Sequence, residues 1–456
     1  MNSRQGTMDL TTGSPVKQIL LFSLPLILGT LFQQLYSFVD TVMVGRLIGT
    51  DALASVGATY SLHFLILGFV QGTCVGFGIP LAQAFGAKER EEYQRFFWNG
   101  SFICAVMAVI LTVSMTVLTD GLLNLMNTPS DILAGASVYV KIIFLGIPAS
   151  ILYNFCAGAL RAAGDSSHPF YFLLFTSLLN MILDYLFIVP LHMGVAGAAF
   201  ATVLSQLLSG LLNLYWLIQK TDLLKDCGKT RKVSVFHIKR LSIVGFPMGF
   251  EYSISALGAV VMQGAINRLG STAVAGQTAG EKIRQMFTLP MESVGMGMAT
   301  YVGQNDGADR PDRIRDGIRA GLLIQWIYCA VVWAVIFVGK GFFTSLVLGT
   351  RTGETAELCI QYLTIISTLF AVHGALMIMR NTLQGMGYSA HAVLSGAGEL
   401  IGRSIGAYLA VDFFEFAGIC FANPMAWFLA LLYCTQMVIW YLKKRLPTRK
   451  ESVHVK

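Results

Sequence analysis

Charge is what this chain has least of. Of its 456 residues only 12% are Asp, Glu, Lys or Arg, whereas 55% are hydrophobic, and the mean hydropathy is +0.63. A soluble globular chain carries about 25% charged residues, roughly twice this share, so that class is excluded. Segments of about ten residues with alternating polarity, the mark of a membrane β-barrel, are missing too. The eight cysteines form no C-x-x-C pair, and Cys74, Cys104, Cys156 and Cys329 sit inside apolar runs. That spacing fits neither a disulfide framework nor a zinc site. No H-E-x-x-H, G-x-S-x-G or phosphate-binding glycine loop occurs, which argues against an integral-membrane enzyme and against direct drive by ATP. The first apolar run begins near Val16. It is too long for a signal-peptide core and has no convincing cleavage site, so a retained first helix is expected.

What the chain does have is apolar runs of about 20 residues, the length that crosses a bilayer as a helix. Gly, Pro and charge punctuation divides the chain into about twelve spans. They are 16–44, 53–82, 95–119, 133–160, 168–190 and 194–217, then 241–267, 273–303, 317–339, 356–383, 390–412 and 416–442. Several exceed the crossing length, so tilt or protrusion is expected. The fold class is an all-α polytopic membrane protein.

Lys and Arg set the expected orientation. Arg4 and Lys17 precede the first span, Lys88, Arg90 and Arg95 surround the second connection, and Arg310, Arg313 and Arg315 fill the eighth. Lys220, Lys225, Lys229, Arg231, Lys232, Lys239 and Arg240 crowd a central linker, and Lys443, Lys444, Arg445, Arg449 and Lys450 the tail. The alternate connections hold little beyond Arg46, Arg268, Lys340 and Arg351. By the positive-inside rule both termini and the linker face the cytoplasm of a cell (inner or plasma) membrane. The net charge of +7 belongs to those loops and implies no nucleic-acid partner.

The chain also repeats itself. LRAAGDSSHP at Leu160–Pro169 returns as LQGMGYSAHA at Leu383–Ala392, and AQAFGAKER at Ala82–Arg90 resembles VGQNDGADR at Val302–Arg310. The span of Pro25 likewise resembles that of Pro247. An even number of spans per half gives two parallel six-helix lobes, as an alternating-access carrier needs. The expected division is 1–218 for the first lobe, 219–240 for the linker, 241–442 for the second lobe and 443–456 for the tail.

Polar groups inside apolar spans are costly, about 2.5–3.5 kcal/mol or more for a carboxylate, and so mark sites. Gln33, Tyr36, Ser37 and Asp40 follow helical spacing on the first span, Asn154 lies deep in the fourth, and Ser177, Asn180 and Asp184 line the fifth. Ala198 and Thr202 fall one turn apart on the sixth. Carboxylates, amides and hydroxyls together suit a hard monovalent cation, or a proton held between two carboxylates. In the second half Glu251, Met262, Glu281 and His373 are candidates for a substrate cavity. Glu399 and Arg403, four residues apart, read as a structural ion pair, and Lys282 and Arg284 as partners for Glu281 and Glu292.

These motifs resemble the MATE (multidrug and toxic compound extrusion) transporters, within the MOP flippase-like superfamily, over essentially the whole chain. The carriers are Pro25, Gln33, Asp40, Met43 and Gly45, then LRAAGDSSHP, NMILDYLFI, VAGAAFATVLSQ at Val195–Gln206 and GFPMGFE. The resemblance implies two six-helix lobes around a central cavity, and export of organic, often cationic, compounds against inward flow of Na+ or H+. It carries no cofactor beyond the coupling ion, and a monomer suffices. It implies a first-lobe cation site (Na+ if sodium is the ion) of Asp40, Asn180, Asp184 and Thr202, with the Ala198 carbonyl as a further ligand. Gln33, Tyr36 and Asn154 are its neighbours. Glu251 matches one member of the acidic pair that the NorM-type branch has in its second lobe. His373 stands where that branch has an aspartate, a departure that speaks against a second Na+ site. The alternative, a lipid-linked oligosaccharide flippase of the same superfold, calls for a basic cavity; this first lobe is acidic.

Overall fold

A computed structural model describes residues 7–225, 228 and 230–445, and among them helices are the only regular structure. Arg4, Lys229, Arg449, Lys450 and the tail beyond Arg445 lie outside the described residues. The expected spans return as helices α1 (Pro15–Leu47), α4 (Arg90–Leu125), α7 (Ser167–Ile188) and α8 (Gly194–Tyr215), then α9 (Val235–Ile266), α10 (Ser271–Gly307) and α11 (Pro311–Leu348). Three spans are broken. The second is α2 (Thr50–Ala58) and α3 (Tyr60–Gly86), the fourth α5 (Ser130–Leu145) and α6 (Ile147–Ala162), and the tenth α12 (Glu354–Thr368) and α13 (Phe370–Gly385). The bends are 45° between α5 and α6 and 49° between α12 and α13. Pro148, in the second position of α6, removes a donor that the first turn leaves unused anyway, so the chain restarts there without penalty. The last two spans form α14 (Ser389–Arg445), interrupted at Glu415 by non-helical backbone with φ 49°.

Seven helices and two bent pairs among the described residues are long and apolar enough to cross a membrane. At 1.5 Å per residue, the 38 residues of α11 reach well past a hydrocarbon core of about 30 Å. Many large apolar side chains are exposed along these helices, including Val109, Ile110, Val113, Leu178, Ile182 and Val338. In water that would be untenable; in lipid it is the solvated face. The protein is a multi-pass membrane protein.

By packing the chain divides into two units, Met1–Asp9 with Leu24–Ser253, and Leu10–Ser23 with Ile254–Lys456. In the first, α7 packs on α8, α6 on both α3 and α8, and α4 on α5, around fully buried Phe77, Tyr93, Phe97 and Phe144. A seam of glycines also runs through this unit. A Cβ on Gly72 of α3 would lie 2.6 Å from the Met248 carbonyl oxygen, and one on Gly76 2.6 Å from Gly245 Cα. One on Gly249 of α9 would lie 2.8 Å from the Phe69 carbonyl oxygen. The two backbones touch because neither carries side chains there, the small-residue packing that replaces hydrophobic drive inside a membrane.

In the second unit α10 packs on α11, α12 and α13, and α13 on α14, around Tyr301, Tyr362 and Phe370. Its N-terminal strap is held by Arg313, which donates through Nη1 to the Gly13 carbonyl at 3.0 Å. Through Nη2 it donates to the carbonyls of Leu10 and Thr12, each at 3.2 Å. Asn305 Nδ2 donates to the Leu10 carbonyl at 3.1 Å, and the Leu10 N–H donates to Gln304 at 2.9 Å. Arg313→Gln removes the charge-assisted donors, each worth about 1.5–3 kcal/mol before solvent screening. Limited proteolysis within residues 7–14 should accelerate about tenfold or more, with the rest of the chain unaffected; an unchanged cleavage rate would show that Asn305 and Gln304 hold the strap unaided.

The sequence repeat is visible in the turns. Gly164 (φ 84°) and Gly387 (φ 82°) take matching left-handed conformations, followed by matching bonds from the Asp165 N–H to Leu160 and from the Tyr388 N–H to Leu383. Lys88 and Asp309, with φ 62° and 52°, match in the same way. At Gly164 a side chain is excluded twice over, since a Cβ would also strike the Met8 carbonyl.

Candidate functional site

The polar residues of the first unit converge because α8 is built small where α7 crosses it. Gly197, Ala198 and Ala201 are buried, and a Cβ at Gly197 would come within 2.9 Å of Phe187. A sharp turn through His192 and Gly194, both with positive φ, folds α8 back against α7. This closeness sets the Asn180 amide between two partners, its terminal atoms 3.3 Å from Asp184 Oδ2 and 3.3 Å from the Thr202 backbone nitrogen. The Thr202 hydroxyl donates to the Ala198 carbonyl at 3.1 Å and keeps its own lone pairs.

Asp184 is fully buried. Asp40, on the part of α1 that belongs to this unit, brings its carboxyl group near enough to that of Asp184 for the two to interact electrostatically. Oδ1 of each is buried with no hydrogen-bond partner. A buried carboxylate oxygen without a donor is costly, and two neighbouring carboxylates repel unless a proton or a cation lies between them. The geometry therefore calls for a positive occupant. The remaining ligands on hand are neutral oxygens, and among the described residues no group of three or more His, Cys, Asp or Glu is placed to hold a metal. Such a set suits a singly charged ion better than a zinc-like one.

Beside the pair is a cavity of about 30 Å³, lined by Gln33, Tyr36, Tyr153, Asn180, Thr202 and further residues of α7 and α8, roomy enough for about two waters. Of the expected residues, Asn154 is absent from this lining; its amide turns back to the Ser150 carbonyl at 2.8 Å, and Tyr153 takes its place. Sequence reasoning passed over Ser205, Gln206 and Ser209, which line the cavity with Thr202. Their signal was available: 202, 205, 206 and 209 follow i, i+3, i+4, i+7 on α8.

The second-half candidates are placed differently. Glu251 is buried and falls within the first unit, while Met262, Glu281 and His373 fall within the second. Glu281 is engaged in an ion pair with Arg284, whose Nε donates at 2.8 Å, and it accepts from the Tyr362 hydroxyl. Arg403 reaches Glu399 at 2.7 Å, the expected pair, and Arg380 joins it on the same carboxylate. Lys282 is exposed.

A polytopic helical protein with a carboxylate pair buried among its helices has the makings of a membrane carrier. The MatE family pattern matches residues 25–186 and 247–409, and the chain belongs to that family of transporters. It is 26% identical over 441 residues to the probable multidrug resistance protein YoeA of Bacillus subtilis, covering 94% of both chains. To the multidrug export protein MepA of Staphylococcus aureus it is 23% identical, over 84% of this chain and 86% of that one. A solved multidrug resistance MATE transporter of the MOP superfamily, in its outward-facing conformation, superposes with a TM-score of 0.91 at 21% identity. That match covers 98% of this chain and all of the other, and it shows the fold.

Proposed function

We propose that the chain is a secondary active multidrug antiporter, exporting organic, often cationic, compounds in exchange for Na+ or H+. The observation that carries this reading is the pair of neighbouring carboxyls, Asp40 and Asp184, with an unpartnered buried oxygen on each. An inward-moving cation binds there, with Asn180, Thr202 and the Ala198 carbonyl completing its shell if the ion is Na+. Binding draws the two carboxyls and their helices, α1 and α7, together; release lets them part. Export follows if ion and substrate favour different states of one carrier, since an ion binding both states equally moves nothing. The basic connections and linker support an orientation with both termini on the cytoplasmic side of the cell membrane, each chain working as a monomer.

The test is ethidium efflux from proteoliposomes under an imposed Na+ or H+ gradient. One gradient should drive efflux and the other should not. Efflux indifferent to both would overturn the antiport reading.

A further inference from the structure

Two threonines of the cavity wall turn their hydroxyls back onto their own helices. Thr176 donates to the Phe172 carbonyl at 2.9 Å and Thr202 to the Ala198 carbonyl at 3.1 Å, the local bond such side chains make inside a helix. Ser205 and Ser209 of α8 do not. Both are more than nine-tenths buried, both line the cavity beside the carboxylate pair, and neither Oγ has a hydrogen-bond partner. One turn on, Asn213 is fully buried. Its Nδ2 donates to the Ser209 carbonyl at 2.7 Å, and its Oδ1 has no donor. Packing alone would be served without hydroxyls, as it is at Gly197, Ala198 and Ala201 of the same helix.

The cavity lies to one side of the pair. Its α7 wall runs from Leu173 to Asn180 and its α8 wall from Thr202 to Ser209, while α1 contributes Gln33 and Tyr36. Every lining residue of α1 therefore precedes Asp40, every one of α7 precedes Asp184, and every one of α8 follows Ala198. The void leaves the pair toward the start of α7 and the end of α8, where the chain enters the basic linker. Thr202 to Ser209 covers about 10 Å of helix at 1.5 Å per residue, and Asn213 continues the same face one turn further.

Buried polar atoms that find no partner in the protein, beside a void of water size, are the setting in which internal water is held. Each hydroxyl offers one donor and two acceptor lone pairs. A line of them bridged by water can hand on a proton, or ligate a hard cation through oxygen alone. Without such a line, a cation released from the pair would face hydrocarbon, where charge is costly.

We propose that Ser205, Ser209 and Asn213 form a hydrated exit through which the cation held by Asp40 and Asp184 passes toward the linker end of the first unit. The proposal rests on the antiport reading and adds to it the direction and the residues of the release step.

The test is gradient-driven ethidium efflux from proteoliposomes holding the full chain, comparing Ser209→Val with Ser209→Thr, and Ser205→Val with Ser205→Thr as a second pair should the first insert poorly. Val and Thr share a shape and differ in the hydroxyl, so any crowding of the void is common to both. The Val variant should show a maximal rate about tenfold below the Thr variant at the same position. The ion concentration giving half-maximal efflux should not rise, because the carboxyls that load the ion are untouched; a distorted pair would raise it. Equal rates for Val and Thr at both positions overturn the exit while leaving the antiport reading in place, as does a Val deficit that comes with a raised half-maximal concentration. Wild type indifferent to both gradients overturns the antiport reading itself, and the exit with it.

Discussion

Asp184→Asn should reduce ion-driven efflux about a hundredfold or more, to the passive leak, and Asp40→Asn should do the same. Asn is nearly isosteric with a protonated Asp, so the fold has little reason to respond. What changes is charge. If the ion is a proton, the substituted site is permanently in its loaded form and cannot cycle; if it is Na+, the ion loses an anionic ligand. Removing one member of a buried charge pair costs about 3–5 kcal/mol, which is about two to nearly four orders of magnitude in ion affinity. Thr176, which also lines the cavity and whose hydroxyl donates to the Phe172 and Leu173 carbonyls of its own helix, supplies the comparison: Thr176→Ala should stay within about threefold of wild type. Both measurements belong in the same proteoliposome preparation, with insertion checked by protein content. Wild-type efflux from correctly inserted Asp184→Asn protein would remove the carboxylate pair from the mechanism.

The largest loss of stability should come from a single added methyl group. In Gly72→Ala the new carbon would stand 2.6 Å from the Met248 carbonyl oxygen, 2.8 Å from the Tyr252 ring and 3.0 Å from Gly249 Cα. Two of those three neighbours are backbone, so α3 and α9 must separate locally, and overpacking of this kind costs about 1–3 kcal/mol or more. Gly121→Ala in α4 is the matched control, since nothing lies within 4 Å of its added carbon. There the better helix propensity of Ala, up to about 1 kcal/mol, should leave stability unchanged or raised. Thermal unfolding in detergent should place Gly72→Ala about 5 °C or more below wild type, at roughly 2–4 °C per kcal/mol for a cooperative unit of about 150–250 residues such as the first. Equal melting of the two variants would mean that the seam yields more easily than its spacing implies.

The fold was largely legible because bilayer length and apolarity leave helices as the economical solution, and because Leu160–Pro169 and Leu383–Ala392 print the repeat in the chain. The bends were less so. Pro148 after Gly146 carries a signal for the α5/α6 break, but the breaks at Thr59 and Leu369 have no proline to mark them. In the site, Asp40, Asn180, Asp184 and Thr202 stood out because each is conspicuous in an apolar run. Asn154 was equally conspicuous, yet its amide is satisfied one turn back on its own helix, a choice of rotamer that no spacing reveals. Ser205 and Ser209 escaped for the opposite reason: small hydroxyls are common in membrane helices and attract notice only as a stripe. The sharing of Glu399 between Arg380 and Arg403 required α13 and α14 to be in place.

The glycine seam between α3 and α9 also decides what in the first unit is free to move. Side chains at an interface act as bearings: they swap rotamers and let one helix slide along another. Backbone against backbone has no such play. Residues 68–76 and 245–249 must travel as one piece or lose contact altogether. In the antiport proposed above, the motion answering to the ion would then fall to α1, α7 and α8, where polar side chains and a small water-sized void lie between the helices. The unit thus contains both a stationary frame and a working part, and the line between them is drawn by where the chain gave up its side chains.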